Sequence, residues 1–247
     1  MSVIQQRGDI APGRVQLRVD NDSGETLTVT GATLSGAALS KPSPWAARRT
    51  ETIDPGRVVD LPVPLPALRC TSDGDPASVT LELDTADGPR SADIAADDPL
   101  GILAHLSAAQ CDREAVAAVA SVEAAAVSPR VDGPADLALS ITPIAAGDGR
   151  IELVALRGTP LLRFAQGEEA VLDTVVSAGD APSTLTVAVT PRRCDPHAIA
   201  EDKVGTLFDL VTRVDGREIV VSLPRPASVA DALLEFTAAA CGLTPSP

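Results

Sequence analysis

Two cysteines recur in the same setting twice along this chain, and that doubling limits its possible folds more than any other feature. Arg69-Cys70 closes the Pro/Val/Leu run from Leu61 to Leu68, and Arg193-Cys194 closes the run from Leu185 to Arg192. Downstream, Gly101 to Cys111 matches Asp231 to Cys241 in length, apolar spacing and terminal cysteine. Between the cysteines of each copy lie an apolar strand pattern and an Asp-Gly pair: Val79 to Leu83 with Asp87-Gly88, then Thr206 to Val211 with Asp215-Gly216.

Four cysteines allow three pairings. The repeat favours Cys70 with Cys111 and Cys194 with Cys241, since each copy then closes the same kind of loop. Such loops contribute about 4 kcal/mol each in a chain-entropy treatment. There is no Cys-x-x-Cys to suggest a zinc knuckle or a thioredoxin-like site. Two structural disulfides imply an oxidising compartment, so the expected location is outside the cytoplasm, in the cell envelope or on its outer face. The copies divide the 247 residues into two expected domains, 1–111 and 112–247. Cys111 runs straight into the second copy without a Gly/Ser- or Pro-rich linker, which predicts a short connection and a fairly fixed angle between domains.

Composition narrows the function. Hydrophobic residues at 45% and charged residues at 22% describe a globular chain. With no Tyr, three Phe and one Trp, the cores must be built from Val, Leu, Ile and Ala. A formal charge of −14 argues against nucleic acid, whose phosphates need a basic face, and disfavours anionic lipid. No apolar run is long enough to span a membrane. The start, Met1-Ser-Val-Ile-Gln-Gln-Arg7, enters a strand pattern at once, as expected if a leader or anchor lies outside this sequence.

Val15 to Val19 alternates apolar and polar, and so does Leu27 to Thr30. Asn21-Asp-Ser-Gly-Glu25 between them predicts a hairpin, and Asn21-Asp-Ser23 reads as turn rather than as a glycosylation sequon. Pro62, Pro64 and Pro66 withhold backbone donors, so Val58 to Leu65 should be an edge strand. Val79 to Leu83 and Arg90 to Ile94 form a hairpin about Asp87-Gly88, and Asp97-Asp-Pro99 starts a helix running to Gln110. In the second copy, Val116 to Val122 reads as a strand, with an Ala-rich helix as the alternative. Leu137 to Ile141 and Ile151 to Val154 repeat the first hairpin. Ala170 to Ser177 and Thr184 to Val189 follow, and Cys194 to Lys203 is a helical turn. The hairpin about Asp215-Gly216 leads to a final helix, Ser228 to Ala240, stopped by Gly242.

Short strands at regular spacing, separated by Gly/Pro/Asp turns, predict an all-β fold of two sandwiches, each with a short helix tethered by its disulfide. This arrangement resembles tandem immunoglobulin-like domains. It departs from antibody-type domains: no tyrosine corner is possible without Tyr, and Trp45 precedes both cysteines of its copy. Asn21-Asp-Ser-Gly-x-x-Leu-Thr-Val-Thr30, Pro55-Gly-Arg-x-Val-Asp-Leu-Pro-Val63 and Cys194-Asp-Pro-His-Ala-Ile-Ala-Glu-Asp-Lys203 are similar to uncharacterised actinobacterial exported proteins, membrane- or lipid-anchored. That resemblance covers most of the chain and implies no activity.

Few residues offer chemistry. His197 and Glu201 stand i,i+4 on one helical face, the spacing of a metal or ligand pair, but a third ligand is missing from the motif. His105 is replaced by Glu235 in the second copy. Asp73/Asp75, Asp84/Asp87 and Asp93/Asp97/Asp98 do not follow a calcium-loop pattern. No nucleophile elbow, phosphate loop or dinucleotide fingerprint occurs, so no catalytic residue and no cofactor is assigned. Trp45 between prolines, with Arg48 and Arg49, is the candidate recognition feature. The expectation is a non-enzymatic envelope interaction or scaffolding protein, held at the membrane only through an anchor, with another envelope protein as partner. The alternative is a small-molecule or metal-binding envelope protein with its ligand between the copies.

Overall fold

The computed structural model describes all residues except 11, 46–49, 72–75, 86, 132, 202–204 and 244–247, and all side chains of the remainder except those of Ala198, Ala200 and Glu201. The chain separates into two compact units, Met1–Cys111 and Asp112–Pro247. Each is a pair of antiparallel sheets closing on its own buried cluster, a β-sandwich.

In the first unit, β1 (Ser2–Ile4), β2 (Arg14–Asp20) and β6 (Val58–Pro64) form one sheet in the order β1-β2-β6. A single helical turn, α1 (Arg7–Ile10), joins β1 to β2. The second sheet contains β3 (Leu27–Ser35), β4 (Ser43–Pro44), β5 (Glu51–Ile53), β7 (Ala77–Thr85) and β8 (Gly88–Ala96). Its order is β4-β3-β7-β8, with β5 also on β3. Alternation does the sorting: Val15, Leu17 and Val19 of β2 face inward against Val29, Leu34, Val79 and Leu81. The core is aliphatic throughout, with half-buried Trp45 packed at its margin.

The second unit is arranged similarly but not identically, with four strands in each sheet. Strands β9 (Ala120–Pro129), β10 (Ala135–Pro143), β12 (Leu162–Phe164) and β14 (Ser183–Pro191) form a sheet ordered β12-β14-β10-β9. Strands β11 (Arg150–Arg157), β13 (Glu169–Ser177), β15 (Asp209–Val214) and β16 (Arg217–Ser222) form the other, ordered β13-β11-β15-β16. Phe164 and Phe208 meet in its core with ring centroids 5.8 Å apart. Helix α2 (Ile102–Ala117) crosses the division between units, α3 (Pro196–Glu201) follows Cys194, and α4 (Ala227–Ala240) ends the described chain.

The hairpin expected about Asn21 does not form. Strands β2 and β3 lie in different sheets, as do β10 and β11, so both predicted first hairpins are corrected to sheet-to-sheet crossings. The physical reason is visible at Asn21, whose buried amide donates to the carbonyls of Glu25 and Ile53, each at 2.8 Å, while its Oδ1 accepts from Ser23 N at 3.1 Å. The side chain pins the crossing and is fully used as turn chemistry. By contrast, β7 and β8 do pair through Thr85↔Gly88, and β15 and β16 through Val214↔Arg217. At the latter turn Asp215 and Gly216 both have positive φ, 50° and 80°, as a type I′ hairpin demands. The expected edge position of β6 is observed: it pairs only with β2.

Two helices also differ from expectation. Asp98 accepts from the N–H groups of Ile102 and Leu103 at 2.7 and 2.8 Å, opening α2 a few residues later than the sequence suggests. The helix then runs past Cys111 to Ala117, so the strand expected from Val116 begins at Ala120 instead. Cys70 is bonded to Cys111 and Cys194 to Cys241, and no free cysteine remains.

Candidate functional site

The most organised polar constellation among the described residues lies where α1 covers the outer face of β2. Inward residues of β2 are apolar, so Arg14, Gln16 and Arg18 share the opposite face. Asp9, only 1% exposed, lands on that face. It accepts from Arg14 Nε at 2.6 Å, Gln16 Nε2 at 2.8 Å and Gln6 N at 3.0 Å. Gln5 donates its amide to the Arg14 carbonyl at 3.0 Å, replacing a ladder bond where β1 has ended. Gln6 reaches Asp60 Oδ2 at 3.1 Å, and Asp60 opposes Arg18 in register and accepts from its guanidinium at 2.8 and 2.9 Å.

Burial pushes the Asp9 carboxyl upward. The hydrogen bonds from Arg14, Gln6 and Gln16, with the Arg14 charge, outweigh this and hold it below the usual carboxylate range. A carboxylate with three donors and a depressed pKa is a fixed anion and a poor proton acceptor. Its chemistry is to clamp α1 onto the sheet.

The second concavity lies within the second unit. Val116, Ala120, Val122, Leu210, Val221 and Pro224 line an apolar pocket of about 190 Å³. Small-molecule sites run from about 300 Å³ upward, so this one holds no more than a short aliphatic fragment.

The residues singled out by sequence are dispersed. Trp45 is half-buried against the first core, and its N–H donates to the Ala32 carbonyl at 2.7 Å. Arg48 and Arg49 lie outside the described residues. His197 is exposed in the first turn of α3, where its N–H donates to Asp195 Oδ1 at 2.9 Å. Glu201 is the last residue of that helix. His105 is exposed on α2. Asp73 and Asp75 lie outside the described residues, and among those described no three His, Cys, Asp or Glu groups gather where a metal would need them. Every buried side-chain nitrogen or oxygen among them has a hydrogen-bond partner.

Asp9 escaped the sequence reading. Gln5-Gln-Arg-Gly-Asp9 shows no periodicity, and the partners of Asp9 are two side chains of β2 and the Gln6 N–H. The one usable signal was Arg14, Gln16 and Arg18 alternating with valine and leucine: three long donors on one face predict acceptors packed above it.

No protein-family model matches the chain, and no curated protein matches it in sequence. Among solved structures it is similar to the complex of chaperone CsuC with tip adhesion subunit CsuE from archaic chaperone-usher Csu pili of Acinetobacter baumannii. That match has 12% identity and a TM-score of 0.24, and covers 86% of this chain and 91% of that one. It is also similar to red sea bream transglutaminase at 14% identity and a TM-score of 0.23, covering 91% of this chain and 31% of that one. At these scores neither likeness transfers an activity or an architecture.

Proposed function

We propose that this chain is a non-enzymatic, extracytoplasmic protein of two immunoglobulin-like sandwich domains that acts by binding another protein of the cell envelope. The observation that carries this reading is the pair of disulfides, one within each unit and each joining a post-strand loop to a helix. The immunoglobulin-like assignment is supported by two antiparallel sheets per unit, with the chain crossing between them at Asn21–Glu25 and again at residues 144–149. A binding role, rather than catalysis, is supported by the commitment of all four cysteines to bridges and by the saturation of Asp9.

The test is thiol alkylation in fractionated native cells, followed by cross-linking. The expected outcome is protein in the envelope or medium whose cysteines react only after reduction, together with a discrete cross-linked partner. Alkylatable thiols in a cytosolic pool would overturn the location, and an envelope protein with no specific adduct would overturn the binding role.

A further inference from the structure

The four sheets end in eight edges, and an unprotected edge is a template for another strand. Seven are short, blocked or occupied among the described residues. β1 and β12 have three residues each, and β4 with two and β5 with three share one edge beside β3. β6 carries Pro62 and Pro64. The edge of β9 is taken at Ala124, whose N–H donates to the Pro224 carbonyl at 2.8 Å. β13 is broken at Asp173, where φ is +40°, and carries two acids and no base. β16 is six residues long, and its Arg217 is tied to Asp112 of α2 at 2.7 Å.

β8 is different. It pairs with β7 over nine consecutive residues, Gly88 to Ala96, without a register shift. No described backbone group bonds to its other side before Asp97. Pro89 lacks an N–H and therefore occupies a position facing away from β7. By alternation the N–H and C=O groups of Ser91, Asp93 and Ala95 also point outward. Ala92 and Ile94 face the sandwich interior and are only half-buried, so a further strand would cover them. In a chain of charge −14, this segment is neutral, with one Arg and one Asp.

We propose that β8 pairs antiparallel with β8 of a second copy, about a two-fold axis through Ala92, joining two sheets into one. This register overlaps all nine residues, Gly88 opposite Ala96. It sets Ser91 opposite Asp93 in the outward-facing pair and Arg90 opposite Ile94 on the interior face. Within the nine residues no like charges stand directly opposite one another. Centring on Asp93 would set two carboxylates face to face, which cross-strand energetics disfavour. Asp93 Oδ1 already accepts from Thr80 at 2.6 Å, leaving Oδ2 for the partner's Ser91. The net charge of each copy opposes association, so added salt strengthens the contact. The pairing is distinct from binding an envelope protein, and either can fail without the other.

Sedimentation velocity on the full oxidised chain across a concentration series tests it, with thermal melting to verify each fold. The wild type is expected to dimerise reversibly, more tightly at high salt. Ser91→Pro removes an outward donor without touching the β7 ladder and should abolish the dimer. Ser91→Asp sets a carboxylate against the partner's Asp93 and should weaken dimerisation by roughly tenfold, two such pairs forming per dimer. Ser91→Lys should tighten it. A wild type that stays monomeric at the highest concentration overturns the proposal, and so does a dimer indifferent to Ser91→Pro. The same holds if Ser91→Asp and Ser91→Lys shift the equilibrium in one direction, or if an unrelated extended peptide protects β8 while the chain alone never self-associates.

Discussion

The two units share only part of their strand order and hold their helices by different means. In the second, α4 lays Val229, Leu233 and Phe236 into a core that already contains Phe164 and Phe208. In the first, α2 contributes Leu103 to an aliphatic cluster, and its next inward residue is Ser107. The Ser107 hydroxyl bonds the Arg69 carbonyl at 2.9 Å and accepts from Thr71 N at 3.2 Å, beside the Cys70–Cys111 bridge. Both helices carry a bridge, but α4 adds three large buried apolar side chains, whereas the first half of α2 adds Leu103 and the polar contacts of Ser107. All three phenylalanines fall in the second unit, and this asymmetry in composition is what permits the difference. A partly shared arrangement of strands therefore does not impose a shared stabilising chemistry.

The sharpest way to break the comparison is to remove the apolar anchor. Phe236→Ala should destabilise the second unit by about 3–5 kcal/mol, whereas Leu103→Ala in the first should cost about 2 kcal/mol. Urea unfolding resolves the two, because Trp45 is the sole tryptophan and reports the first unit. After Phe236→Ala the circular-dichroism transition should move while the fluorescence midpoint stays. A joint shift would show that the units unfold as one and would collapse the distinction.

Removing the covalent ties should reverse the ranking of local order. Loops of 41 and 47 residues predict nearly equal global losses, about 4 kcal/mol for each paired Cys→Ser replacement. Hydrogen exchange should nonetheless separate them. Replacing Cys70 and Cys111 should expose the amides of residues 102–111, while replacing Cys194 and Cys241 should leave those of 229–237 protected. Equal loss of protection would mean that α4 needs its bridge as much as α2 does.

A smaller effect is expected at Asp9, which has no counterpart cluster described in the second unit. Asp9→Asn should cost about 1–3 kcal/mol at neutral pH by breaking a buried charged network. Because the folded pKa lies below the unfolded value, the stabilisation is complete above the unfolded carboxylate's pKa of about 3.9. It disappears as pH falls below that value and through the lower folded one. The gap between wild type and variant in urea midpoint should therefore close on acidification. A gap independent of pH would show that packing, and not ionisation, sets the cost.

Local chemistry made much of the fold legible. Alternating valine and leucine marked β2, β10 and β14, prolines marked the edge at β6, and Asp215-Gly216 marked a true hairpin. Pairing partners were not legible at Asn21. Alternation says that a strand is half-buried but not which strand lies beside it, and the deciding bond runs to Ile53, 32 residues away. The match of Cys111 to Cys241 suggests a helix end at Gln110, yet Asp112 to Ala117 contains no helix breaker and α2 continues through it. The Asp9 cluster left no mark in the pattern because its donors, though near in sequence, are brought together only by the single turn of α1 folding back over β2.

The bridges also shape how the chain responds to pulling. Tension applied along the oxidised polypeptide passes from Cys70 to Cys111 and from Cys194 to Cys241 through sulfur. The peptide between them is excluded from the path, whatever its sheets do. Those stretches hold roughly 300 Å of extensible length, at about 3.4 Å per residue. Oxidised, the protein can extend only about two thirds as far as it can once reduction returns that length to the path.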